Sequence, residues 1–447
     1  MSDSRMEDGL TTRALRGDLV WFDDDPRLAP DAFRHVQDGL VVITGGRIAA
    51  VGNAPDLLSS LPAGTRVDDW RGHLVLPGFI DTHVHYPQTD IIASYGEQLL
   101  TWLERYTFPA ERRFGDPAVA RETAQFFLGE LLRNGTTGAA VYATVHPQSV
   151  DAIFEAAFDR NLRLAAGKIL MDRNCPEFLR DTAQSGHDDS LALIRRWHGK
   201  GRLSYAVTPR FAPTSSEAQL EAAASLYRNH PGVVMQTHVA ENRDEVAWVA
   251  QLFPSARSYL DVYDRFGLLG PRAVLGHGIW LDDADRRRLA EAGGSIAFCP
   301  TSNLFIGSGL FSCAKAQAAG MRVSLGTDVG GGTSFSMLRT MHEAYKVAQL
   351  AGESFTAQDA FYLATLAGAR ALGTQDSVGS IAIGREADFA VLDPCATPLM
   401  ARRSARAESI DDRLFALMML GDDRAVAATY VLGEAAWRRD PAPASSA

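Results

Sequence analysis

Cysteine is scarce: four residues in 447, Cys175, Cys299, Cys313 and Cys395, with no Cys-x-x-Cys pair among them. That spacing argues against a cysteine-based zinc site and a disulfide framework, and it fits a reducing compartment. No apolar run approaches the ~20 residues that a membrane-spanning helix needs. The polar, acidic start Met1-Ser2-Asp3-Ser4-Arg5-Met6-Glu7-Asp8 does not read as a secretory signal. Basic residues number 44 against 54 acidic ones, a formal net charge of −10, and they form no block of five or six. Neither nucleic acid nor membrane is therefore expected as a partner, and a cytoplasmic location is. Internal repeats are absent, and the one biased segment is the tail 441–447, which is expected to fray.

What is present is ordinary globular composition, 46% hydrophobic and 22% charged. The length suits an α/β barrel of ~250 residues plus an accessory domain. The first 77 residues read as strands and turns, including a hairpin over 39–51 with Gly45-Gly46 at its turn. The last seventy or so share that character, with strand-like runs at 387–392 and 426–432. Between these ends, short apolar strands alternate with amphipathic helices. Eight strands are expected, at 79–85, 136–142, 162–170, 203–209, 233–238, 273–277, 295–299 and 323–328. A helix over 118–133 should end at Asn134-Gly135, and another should open on a capping box at Thr214-Ser215-Ser216-Glu217. Eight strand–helix units predict a (β/α)8 TIM-like barrel over 78–375, with residues 1–77 and 376–447 forming a small composite β-sandwich domain.

Asp81-Thr82-His83-Val84-His85 ends the first of these strands. Side chains alternate along a strand, so His83 and His85 share one side. The pair alone is weak, because eleven histidines in 447 residues give about 0.3 chance His-x-His pairs. Strand five, however, ends at His238, strand six at His277 and strand eight at Asp328. Chemistry in such a barrel sits at the C-terminal strand ends, where these five residues converge. Imidazoles and a carboxylate suit one divalent ion, zinc first, with iron or manganese as alternatives. His35, His73, His187, His198, His230 and His342 lie on helices or in the end segments and need no such role. Gly276, Gly278 and Gly326 flank the ligands, where close approach or positive φ is needed. Gly330-Gly331-Gly332 lacks the Gly-Lys-Ser/Thr ending of a phosphate loop and reads as a loop around a small substrate.

Taken together, Pro77-Gly78-Phe79-Ile80-Asp81-Thr82-His83-Val84-His85, the histidines of strands five and six, Asp328 and the closing segment 379–389 resemble the amidohydrolase superfamily. Within it, three further segments resemble the guanine deaminases: the loop 102–111, His85-Tyr86-Pro87-Gln88, and Thr208-Pro209-Arg210-Phe211-Ala212-Pro213 with residues 236–242. The His-x-Glu and Pro-Cys-x-x-Cys motifs of the cytidine-type zinc deaminases are missing. Two-metal members of the superfamily resemble one another in a bridging lysine on strand four. Strand four here has none, which implies a single metal, and Lys168 on strand three is expected to be structural.

The resemblance implies hydrolysis of guanine to xanthine and ammonia by a metal-activated water, whose pKa falls from ~16 toward ~7. Asp328 is expected to take that water's proton, His277 to hydrogen-bond the attacking oxygen, and Glu241 to protonate N3 and help the amine leave. Arg210 and Gln88 are expected to read the carbonyl and N7 of the purine. Phe211 would stack on the ring, Trp102 and Leu103 would cover it, and His238 would lie beside it. The resemblance also implies a homodimer. The alternatives are a deaminase or hydrolase of the same superfamily acting on another purine, a pyrimidine or a triazine, and a non-catalytic, metal-stabilised scaffold.

Overall fold

The eight apolar runs of the middle of the chain become eight parallel strands arranged around a barrel in chain order. The computed structural model describes residues 11–440. The octapeptide start and the tail 441–447, expected to lack a signal and to fray respectively, lie outside them. The strands are Phe79–His85, Thr136–Tyr142, Arg163–Gly167, Leu203–Pro209, Val234–Val239, Ala273–His277, Ser295–Phe298 and Arg322–Leu325. Each pairs in parallel with the next. Both faces of these strands are covered, which is why they read as continuous apolar runs rather than as alternating ones.

Strands one and eight meet at a seam held by side chains. The Thr82 hydroxyl donates to the Leu325 carbonyl at 2.9 Å and lies 2.8 Å from the Ser324 hydroxyl. The barrel interior is lined by small or branched residues, among them Ala140, Ala165, Ala206, Val234, Val274 and Ala297. Its floor is closed by the helix Leu366–Ala371, whose Gly368 packs against Ile80 so closely that a Cβ there would stand 2.9 Å from the Ile80 Cβ.

Local expectations hold in several places and shift in others. The helix Pro117–Arg133 starts at the Asp116 cap and ends at Asn134, with Gly135 at φ 79°. The helix after Pro213 spans Glu217–Asn229 and is capped by Ser216, not Thr214. Thr214 instead belongs to the 3-10 turn Ala212–Thr214, and the Ser216 hydroxyl accepts the Gln219 N–H at 3.2 Å. Strand three is broken: Ile169–Leu170 pairs separately with strand four beyond Lys168. Lys168 is buried and ion-paired with Asp181. Strand eight stops at Leu325, so Asp328 stands beyond the ladder with φ 51°.

Both chain ends build one seven-stranded sheet beside the barrel. Its order is Glu434–Arg438, Val426–Val431, Phe389–Leu392, Arg66–Pro77, Thr12–Phe22, Phe33–Thr44 and Arg47–Asn53. The two ends join where Phe389 pairs with Pro77. The C-terminal segment is less purely strand-like than expected, because helices Pro398–Ser404 and Ile410–Leu420 interrupt it. Leu414, Leu417 and Met418 bury against the barrel's own helices, and Phe415 meets Tyr345 edge-on at 5.1 Å. Among the described residues no helix is long and apolar enough to cross a membrane.

Candidate active site

Strand geometry aims the expected ligands at one point. His83 and His85 project from the same side of strand one, and both are buried. Their ring nitrogens and those of His238 offer one atom each within 4.8 Å of one another. Asp328 Oδ1 lies 3.4 Å from His83 Nε2 and 3.5 Å from His85 Nε2. His277 Nε2 stands 3.7 Å from Asp328 Oδ2. His277 and Asp328 both adopt left-handed backbone, at φ 69° and 51°. Such strained φ values are retained where the surroundings enforce them, characteristically at functional sites.

The residues present fit a divalent ion. Both ring nitrogens of His83, and Nε2 of His277, are buried without a hydrogen-bond partner among the described residues. Buried polar atoms are otherwise almost always satisfied, so these atoms call for a ligand. Burial holds His85 and His238 well below the ordinary imidazole pKa, which keeps the rings neutral and ready to coordinate. The far nitrogens are steered from behind. His238 Nδ1 donates to the Arg210 carbonyl at 2.7 Å, and His277 Nδ1 to Asn303 Oδ1 at 2.8 Å, which turns each Nε2 inward. The glycine expectation has a spatial reason: a Cβ on Gly276 would stand 2.5 Å from the His83 ring.

Above this cluster opens a pocket. Gln88, Trp102, Leu103, Arg210 and Phe211 all reach its wall, as do His85, His238, Glu241, His277 and Asp328. His83 sits beneath, sealed from solvent. The segment 102–111, expected as a loop, is helical: Leu99–Trp102, a π turn over Leu103–Thr107, and Phe108–Arg112. Trp102 packs edge-on against Phe305 and Phe211 against Trp248.

Glu241 does not cap the helix that follows it. Asn242 does so for Arg243–Leu252, in a capping box with Glu245. The Glu241 carboxylate instead accepts from the Ser308 hydroxyl at 2.9 Å and stands 3.3 Å from His277 Nε2. Burial pushes its pKa up to about 7 despite the pull of His277. Asp328 is driven the other way: burial raises it, but the His83, His277 and His238 imidazoles outweigh that and hold it at about 2.

Arg210 is buried and ion-paired inside the pocket. One of its terminal nitrogens meets both Glu111 oxygens at 2.8 Å. Glu111, Asn303 and Ser308 were not among the expected site residues. Glu111 lies in the segment that carried the resemblance, but Asn303 and Ser308 have no titratable signature, and only their place after strand seven on the same rim points to them. Cys299 also joins His83, His277 and Asp328 within 4.8 Å. Burial raises its thiol pKa far above the ordinary value, and the thiol donates to the Ala297 carbonyl.

Residues 74–436 match the amidohydrolase family. A guanine deaminase of Escherichia coli K12 is 50% identical over 433 residues, covering 96% of this chain and 99% of that protein. Among solved structures, an E. coli guanine deaminase superposes with a TM-score of 0.94 at 49% identity, over 96% of this chain and 100% of that one. A C. acetobutylicum guanine deaminase with guanine bound in its active site gives 0.85 at 29% identity, over 95% and 100%. The chain therefore belongs to the amidohydrolase family, in its guanine deaminase branch.

Proposed function

We propose that this chain hydrolyses guanine to xanthine and ammonia. The observation that carries the reading is a single pocket holding both halves of that reaction. Glu241, His277 and Asp328 form its reactive floor, and Arg210, Gln88, Phe211, Trp102 and Leu103 form its walls. The 50% identical relative and the guanine-bound neighbour support the same reading.

His83, His85, His238 and Asp328, with His277 beside them, would hold one divalent ion. Bound there, it would supply the Lewis acidity that brings a water's pKa toward neutrality. Asp328, an ionised carboxylate, accepts the proton of the attacking water and orients it. His277, fixed by Asn303, turns Nε2 toward the attacking oxygen. Glu241, protonated near neutral pH, delivers its proton to N3 of the purine as oxygen bonds to C2. The carboxylates then relay protons to the exocyclic amine as the C2–N bond breaks and ammonia leaves. Two carboxylates with separated proton affinities divide the acid and base roles in this way. Arg210 and Gln88 face the carbonyl and N7, Phe211 stacks, and Trp102 with Leu103 and His238 encloses the ring.

The proposal includes zinc as the ion, because the donor set is imidazole with one carboxylate. It also includes a cytoplasmic homodimer working in purine breakdown or salvage, for which four unpaired cysteines support the reducing compartment. We also propose domain limits at 77/78 and 375/376, supported by the sheet ladder that joins Pro77 to Phe389. The test is ammonia release from guanine, adenine, cytosine and a triazine, before and after chelation. Guanine should be strongly preferred, and zinc should restore the chelated enzyme. Preference for another base would overturn the assignment, and full activity after chelation would overturn the metal chemistry.

A further inference from the structure

The Arg210 guanidinium is gripped from one short helix. On Phe108–Arg112, Phe108 and Glu111 are three residues apart and so share a face. The Phe108 ring lies 5.5 Å from the guanidinium carbon, and the Glu111 carboxylate takes one terminal nitrogen with both oxygens at 2.8 Å. Glu111 is fully buried, as is Arg210 but for 2%. The Nε and the second terminal nitrogen of Arg210 have no partner among the described residues, and the side chain lines the pocket. Gln88 lines the same pocket, and its Oε1 accepts the Gly330 N–H at 3.3 Å. With Oε1 turned to the backbone, the amide presents N–H groups to the pocket. Arg210 has only N–H groups to offer.

We propose that Glu111 is a positioning residue that locks Arg210 as a donor beside the Gln88 amide, and so sets the selectivity of the pocket for a purine edge that carries a carbonyl. A buried carboxylate with no contact to the reactive floor has this physical reason to be there. Without it, the Arg210 charge would be uncompensated and free to swing. An amino group in place of the carbonyl would face donors on both sides and be rejected, since a site with buried unpaired donors discriminates strongly.

The inference rests on the guanine reading and is tested apart from it. Wild-type turnover of guanine is measured first; if it is absent, that reading fails and takes this one with it. Given turnover, Glu111→Gln should raise KM for guanine about 10- to 100-fold, the range of a lost charge-assisted hydrogen bond. Metal content should stay at the wild-type value, and kcat should fall much less than kcat/KM. Glu111→Asp should lie between. In an Arg210→Met background the same Glu111→Gln change should alter KM by less than about twofold, because the residue acts through Arg210. An unchanged KM in Glu111→Gln, or equal losses with and without Arg210, would overturn the inference. If Glu111→Gln loses metal or melts early, the Glu111→Asp cycle decides by the same criterion.

Discussion

His277 Nε2 stands 3.3 Å from Glu241 Oε2, with both side chains closed off from solvent. In the proposed reaction this contact sets the proton donor beside the residue assigned to the attacking oxygen, and it makes the two roles separable. Glu241→Gln keeps the shape and the Ser308 hydrogen bond but removes the transferable proton. Its kcat should fall by about 10²- to 10⁴-fold, the usual worth of general acid–base catalysis. Metal content, measured by elemental analysis, should remain at wild-type stoichiometry. Undiminished ammonia release would remove Glu241 from the mechanism.

Asn303 gives a second handle on the same imidazole. It fixes the His277 ring through a 2.8 Å hydrogen bond yet stands behind the ring from Asp328 and Glu241. Asn303→Ala should weaken metal affinity or activity by about 10- to 100-fold, as loss of such outer partners does. Competition with a chromophoric chelator reads the affinity directly. Wild-type affinity together with wild-type turnover would show that the ring needs no such support.

Two glycines should answer alanine in opposite directions. At Gly276 the new Cβ would press on the His83 ring from 2.5 Å, so Gly276→Ala should reduce metal occupancy and turnover together. Gly129 lies inside the helix Pro117–Arg133 with nothing within 4 Å of an added Cβ. Gly129→Ala should stabilise the protein by about 0.5–1 kcal/mol through helix propensity alone. Thermal melts and metal analysis on the pair separate crowding from backbone entropy.

Acid should loosen the junction of sheet and barrel. Glu386 takes Arg163 at 2.7 Å and Arg202 at 2.9 Å, and burial notwithstanding, these guanidinium groups hold its pKa below the ordinary carboxylate value. A carboxyl depressed in the folded state stabilises above its unfolded pKa, and that contribution is lost as pH falls through the folded one. Glu386→Gln should therefore cost roughly 3 kcal/mol at neutral pH, the scale of a broken buried ion pair. The gap from wild type should narrow toward pH 3. Urea denaturation at both pH values measures it, and a gap independent of pH would exclude this carboxylate as the cause.

The barrel is legible because its strands are covered on both faces, so most read as largely apolar runs, and some end at a glycine or a ligand, as at His85, Gly167 and His277. The convergence of His83, His85, His238, His277 and Asp328 follows from that count, since strand ends of one barrel share a rim. Other features depend on tertiary context. Ser216 caps its helix because Thr214 is already committed to a 3-10 turn, and nothing local distinguishes the two hydroxyls. The helical form of 102–111 hides behind Pro109, which sits in the first turn of Phe108–Arg112 where a missing N–H costs little. Glu111 looks like any surface glutamate until Arg210, 99 residues on, is brought against it.

The seam between strands one and eight sets an order of assembly. Thr82 and Ser324 are 242 residues apart, and His83 and Asp328 lie just beyond them on the two lips. During synthesis the two histidines of strand one emerge early and must wait for nearly the whole barrel to be made. Until Asp328 leaves the ribosome, no partial chain contains the complete pocket. An ion held by the finished set would then be captured late, once the barrel that brings the two lips together has closed.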